Sequence, residues 1–222
     1  MMDNLKNDQM KNAILQNQIV FGQEASHDSI ILFEKSIYKH TIADALIMNP
    51  TYGITACEIK TQHDTLKRLP HQLDGYVRTC AYTEVICHDS KLDKVIKLLE
   101  QKHYPFVGII SYEEYDNVAL LGRIRKATLS PYITTINACR PLLWKSEKAR
   151  VLMTLRKSYN PKTPVAKMEL DLKRYFQPLA MQKLISSLYV NHQLDQDKRL
   201  QLYHFGDTFT HDITGYRLGE YY

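Results

Sequence analysis

Asp44, Glu58 and Lys60 are the residues whose types and spacing could do chemistry. Each acid belongs to a short apolar run, Thr41-Ile42-Ala43-Asp44-Ala45-Leu46-Ile47-Met48 and Ile54-Thr55-Ala56-Cys57-Glu58-Ile59-Lys60, joined through Asn49-Pro50-Thr51-Tyr52-Gly53. Pro and Gly in a short polar joint between apolar runs are hairpin chemistry. A strand sends alternate side chains to opposite faces, so Glu58 and Lys60 share one face while Ile59 points to the core. If the hairpin pairs in register, Asp44 lies beside Glu58. Two carboxylates can then share a hard cation such as Mg2+ or Mn2+, which takes oxygen ligands and keeps several waters. A cation held there polarises a phosphoryl group and lowers the pKa of bound water, while a neighbouring lysine holds that water or offsets charge on the phosphate. That is minimal apparatus for cutting a phosphodiester. The plainer alternative is a solvated strand edge with a surface ion pair of little energetic weight.

The elements that must position these groups follow directly. Asp64 is a candidate N-cap and Pro70 suits a helix start, which predicts a short turn and then a helix from about Leu69. Leu69, Leu73, Tyr76 and Val77 recur at helical spacing and define its buried face. Gln72 and Tyr76 stand one turn apart, so both can point at the strand ends. A surface amide beside a core-edge tyrosine fits the same spacing.

The series Asp44, Glu58-Ile59-Lys60 and Gln72-x-x-x-Tyr76 resembles the PD-(D/E)XK nuclease superfamily, and its last element is similar to that of the RecB and lambda-exonuclease branch. The run Glu58-Ile59-Lys60, Asp64-Thr65-Leu66, Arg68-Leu69-Pro70 and Gln72 resembles a little-characterised bacterial and phage branch. That similarity continues through Pro105 to Ile110 and Leu142 to Glu147, covering about Ile30 to about Leu155. The resemblance implies a restriction-endonuclease-like mixed sheet flanked by helices. It also implies Asp44 and Glu58 as metal-binding acids, the Ile59 carbonyl as a further ligand, Lys60 as the catalytic lysine, and Gln72 and Tyr76 as its helical partners. Glu34 matches an upstream acid that completes the metal site in some members; a solvent-facing Glu at the edge of an apolar segment is the alternative. Two departures stand out. Ala43 rather than Pro precedes Asp44, which leaves the ligands intact, and Thr41-Ile42 replaces an Arg common in relatives, which removes a phosphate contact.

The formal charge of +5 is modest and by itself does not identify a nucleic-acid binder. Its distribution is more informative: from Arg140 to Arg174, ten Lys or Arg stand against three acids, interleaved with Trp144, Tyr159 and Tyr175. Such a stretch could follow a phosphate backbone, with Lys145, Lys148, Arg156 and Lys157, and Arg68 outside it, as candidate contacts, or be a solvated helical face. Cys57, Cys80, Cys87 and Cys139 lack metal-ligand spacing and read as packing thiols in a reducing compartment. His63 and His71 lie near the motif without forming a zinc signature. No apolar run approaches a membrane span and the first residues lack a signal-peptide core, so the expectation is a cytoplasmic protein.

The chain, 222 residues with 44% hydrophobic content, reads as α/β in four parts. Residues 1–28 form a polar N-terminal helix, from about Asn4 to Val20, and a loop. Residues 29–130 form the nuclease core: an apolar segment from Ile30 to Tyr38 of undecided type, the hairpin and its helix, a strand at Glu84 to Cys87, an amphipathic helix through Leu92, Val95, Ile96 and Leu99, a strand from Phe106 to Ser111, and an edge strand from Val118 to Ile124. Residues 131–202 form an appended basic helical subdomain with helices at Leu142 to Arg156, Val165 to Phe176 and Leu179 to His192, and 203–222 a tail. The expected activity is Mg2+- or Mn2+-dependent hydrolysis of DNA; the resemblance alone implies a phage, prophage, repair or defence setting. The alternative is a nuclease-fold subunit that binds nucleic acid or a protein without cutting. Self-association or a partner protein is left open.

Overall fold

The two apolar runs that carry the acids form the middle of a seven-stranded sheet. A computed structural model describes residues 2–22, 25–26, 28–38, 41–116, 118–155, 159–196 and 200–210, without the side chains of 2–7. Its strands are β1 (Ile30–Ser36), β2 (Ile42–Asn49), β3 (Gly53–Lys60), β4 (Tyr82–His88), β5 (Gly108–Tyr115), β6 (Val118–Arg125) and β7 (Tyr203–His204), in the spatial order β6-β5-β4-β3-β2-β1-β7. β3, β4 and β5 are parallel and the other neighbours antiparallel, so the fold is α/β with a mixed sheet. The undecided segment at Ile30 is therefore a strand, and the tail, which lacks any period, contributes the edge strand β7.

The β2–β3 hairpin closes as its composition predicts. Asn49 accepts the backbone N–H groups of Thr51 and Tyr52 at 2.7 and 2.9 Å. Gly53 follows with φ +105, a conformation that disfavours other residues. β3 is buried along its whole length, as a central strand packed on both faces must be.

Two crossovers move the chain from β3 to β4 through α3 (Leu69–Thr79) and from β4 to β5 through α4 (Leu92–Gln101). Both step the same way along the sheet, so connections of one hand put both helices on one face. Leu69, Leu73, Tyr76 and Val77 of α3 and Val95 and Leu99 of α4 accordingly share one core. Asp64 does not cap α3: its carboxylate accepts the backbone N–H and hydroxyl of Thr61, both at 2.7 Å, and closes the preceding turn, while Arg68 occupies the N-cap position.

The helices of 131–202 are not an appendage. α5 (Thr135–Leu142), α6 (Lys145–Thr154), α7 (Val165–Tyr175) and α8 (Pro178–Val190) place Ala138, Leu142, Leu152, Leu172 and Ile185 in the same core as the sheet and α3. α8 is tied to the hairpin by Gln182, which accepts from the N–H groups of Ile54 and Ala81 and donates to the Thr79 carbonyl. The expected helix from Leu142 to Arg156 is interrupted because Glu147 folds back to accept the Trp144 N–H at 2.6 Å, starting α6 afresh.

α1 (Met2–Gln16) and α2 (Gln18–Phe21) cover the opposite face, where Met10, Ile14, Leu15 and Phe21 pack on Ile31, Ile47, Ile59 and Ile110. The single N-terminal helix expected there breaks at Asn17, whose side chain donates to the Ala13 carbonyl at 2.7 Å. All four cysteines are buried and free. No helix among the described residues is long and apolar enough to cross a membrane.

Candidate active site

Asp44 lies near the start of β2 and Glu58 and Lys60 at the end of β3, so an antiparallel pair brings all three to one edge of the sheet. The register Ala45 to Cys57, continued by one residue, sets Asp44 opposite Glu58. The Ile59 N–H donates to Asp44 at 2.7 Å, which holds the carboxylate against the neighbouring strand. Glu58 is 1% and Lys60 5% exposed, whereas Asp44 is half-buried.

α3 supplies the rest of the cluster, and a glycine lets it come close. A Cβ at Gly75 would lie 2.9 Å from the Thr41 hydroxyl, so helix and strand meet at the position that precedes Tyr76. Tyr76 then places its hydroxyl between the Ile42 carbonyl, at 2.7 Å, and one oxygen of Glu58. Lys60 donates to the other Glu58 oxygen and, at 3.1 Å, to the side-chain carbonyl of Gln72. Gln72, Lys60, Glu58 and Tyr76 thus form one continuous chain of polar contacts from helix to sheet.

Electrostatics single out Asp44. Burial, the charge of Glu58 and, more weakly, that of Glu34 push its carboxyl up to about 7, against the lowering influence of the Ile59 N–H and Lys60. Burial, then Glu58, raises the Tyr76 phenol well above its ordinary value, so Tyr76 is a neutral hydroxyl at any working pH. Two neighbouring carboxylates with one lysine beside Glu58 lack positive charge, which a hard divalent cation would supply. The oxygen donors fit such an ion: Asp44 and Glu58 would hold it, with the Ile59 carbonyl beside them. Among the described residues no group of three or more His, Cys, Asp or Glu is placed to hold a metal, so carboxylate ligation would rest on this pair.

The other expected site residues separate. Glu34, at φ +53 in β1, is turned to an ion pair with Lys11 at 2.5 Å, yet stays near enough to influence Asp44. Arg68 and Lys145 are exposed, the latter donating to the Pro161 carbonyl at 2.6 Å. Lys148 is no surface contact: it is 3% exposed and donates to the Leu143 and Arg140 carbonyls at the end of α5, with Glu169 3.6 Å away. Lysine is drawn there by the unsatisfied carbonyls of a helix C-terminus. Arg156 and Lys157 lie outside the described residues. Elsewhere in the basic stretch, Arg140 pairs with Glu169, Arg150 with Asp195 and Arg174 with Asp171, so much of its charge serves internal ion pairs. The sequence reading missed Ile42, whose carbonyl fixes Tyr76, and no side-chain signal could have revealed it.

Fold and site together define an α/β protein with a largely buried carboxylate–lysine cluster at the ends of the central strands of a mixed sheet. The sequence profile of bacteriophage P4 protein cII matches residues 1–190, and the chain belongs to that family. No curated protein matches. Among solved structures, the SPO1766 protein of unknown function from Silicibacter pomeroyi aligns with a TM-score of 0.38 and 14% identity, over 62% of this chain and 87% of that one.

Proposed function

We propose that this chain is a metal-dependent nuclease that hydrolyses DNA phosphodiester bonds with the PD-(D/E)XK set of residues. The observation that carries the reading is the placement of Asp44 opposite Glu58 with Lys60 on the same edge and Gln72 and Tyr76 closing from α3. Asp44 and Glu58 would hold Mg2+ or Mn2+, which supplies Lewis-acid polarisation of the phosphate and a more acidic water. Lys60, anchored by Gln72, orients the attacking water and offsets charge on the phosphate. Tyr76 fixes Glu58 from behind, so that little reorganisation is needed when substrate arrives. The exposed Arg68 stands just before α3 as a candidate phosphate contact.

A second reading has one observation in its favour: both oxygens of Glu58 already have protein partners. A site so tied could be structural, in a module that binds nucleic acid or a partner protein without cutting. The test incubates purified protein with linear, circular and single-stranded DNA in Mg2+, Mn2+ or EDTA, alongside Asp44→Ala and Lys60→Met. Cleavage by wild type that needs metal and vanishes in both folded variants is the expected result. Equal cutting by all three proteins would expose a contaminant, and metal-independent DNA binding without cutting would establish the second reading.

A further inference from the structure

Lys11 has no assigned role, yet its side chain is only 6% exposed and, among the described residues, it forms an ion pair with Glu34 at 2.5 Å. A lysine is seldom buried unless paired. Here the ammonium also lies 4.4 Å from the Phe209 ring centroid and 5.7 Å from that of Phe33, both within cation–π range. The box is braced from α1 itself: Asn12 accepts the Phe209 N–H at 2.7 Å and the Leu15 carbonyl accepts the Gly206 N–H at 2.8 Å.

The residue that Lys11 holds is the strand neighbour of a candidate metal ligand. Phe33 pairs with Ala45 and Lys35 with Ala43, so Glu34 stands opposite Asp44 on the neighbouring strand. Its φ of +53 is uncommon for a residue with a side chain and persists only where the surroundings impose it. Only Oε1 of Glu34 is engaged among the described residues.

We propose that Lys11 is a positioning residue, which fixes Glu34 as an outer acid of the cation site formed by Asp44 and Glu58. The proposal rests on the nuclease reading. Lys11 takes one oxygen and leaves the other for a water of a bound cation, the arrangement by which outer partners orient ligands in metal sites.

Calorimetric titration with Mn2+ alone tests this, in wild type, Lys11→Met, Lys11→Arg, Glu34→Gln, the Lys11→Met/Glu34→Gln double variant and Asp44→Ala, each with its melting temperature. Lys11→Met and Glu34→Gln should each weaken Mn2+ binding about 10–100-fold, the double variant no further, and Lys11→Arg should restore most of the affinity. A merely structural lysine would lower the melting temperature but leave Mn2+ affinity unchanged; that outcome, or additive losses in the double variant, overturns the proposal. Should Lys11→Met not fold, Phe209→Leu loosens the same box, and wild-type Mn2+ affinity in that variant would equally refute it. Failure of the underlying reading looks different: wild type then binds no Mn2+, or Asp44→Ala binds it undiminished, and the proposal falls with it.

Discussion

Asp44→Asn should make the metal-free protein more stable, by an amount that depends on pH. The folded state holds the Asp44 carboxyl at about 7 against an ordinary 3.8, because burial and Glu58 oppose its charge. At ~1.4 kcal/mol per pKa unit this sets a ceiling of about 4 kcal/mol. Asp44 is only half-buried, so solvent screening reduces the expected gain to about 1–2 kcal/mol. The sign follows from proton counting. Between 3.8 and 7 the folded protein binds more protons at this site than the unfolded chain, so the wild type loses stability as pH rises through that window. Asparagine has no such loss and can still accept the Ile59 N–H. Its advantage should be absent below about pH 4 and complete above about pH 7. For a chain of this size, ~2–4 °C per kcal/mol gives a rise of about 2–8 °C in melting temperature. Thermal unfolding in EDTA at pH 4, 6 and 8 measures it, and adding Mg2+ should stabilise the wild type alone. A variant no more stable at pH 8 than at pH 4, relative to wild type, would refute the electrostatic argument and with it the case that this site calls for a cation.

Tyr76→Phe removes the hydroxyl between Glu58 and the Ile42 carbonyl and leaves a buried acceptor unpaired. It should cost about 1–3 kcal/mol in urea unfolding with an unchanged m-value, and an unaffected midpoint would show that the hydroxyl does not hold Glu58. Gly108→Ala sets a Cβ 1.9 Å from a Glu84 oxygen and 2.7 Å from the Ala127 nitrogen, so it should destabilise by about 1–3 kcal/mol or more, whereas Gly122→Ala meets open space and should be nearly neutral. Equal midpoints for the two glycine variants would contradict the packing at β4 and β5.

The hairpin and α3 were legible because each rests on local rules. Asn49 to Gly53 carries its own turn chemistry, and the apolar spacing of Leu69, Leu73, Tyr76 and Val77 admits one helical face. The convergence of Glu58, Lys60, Gln72 and Tyr76 was legible for the same reason, since strand alternation and a helical turn are enough to aim them at one another. What escaped the sequence depends on distant partners. Gln182 bonds residues more than a hundred positions earlier at Ala81 and Thr79, so nothing around it in the chain marks α8 as part of the core. Lys148 counted as surface charge until α5 offered its terminal carbonyls. β7 is two residues long, too short for any period to declare it.

The tie between Lys60 and Glu58 bears on both readings of the site, and Gln72 decides what it implies. A lysine held only by Glu58 would be a buried ion pair, whose loss on cation binding would leave an ammonium stranded at high cost. Lys60 has Gln72 as a second partner, and the amide oxygen lies on α3, toward the open end of the strands. On the proposed reading, were Glu58 to turn to a cation, Lys60 would keep its hydrogen bond to Gln72 and stay at the strand ends. Gln72→Leu therefore separates the two ideas: on the proposed reading it lowers cleavage while Mn2+ binding persists, because it withdraws support from Lys60 and leaves Asp44 and Glu58 in place.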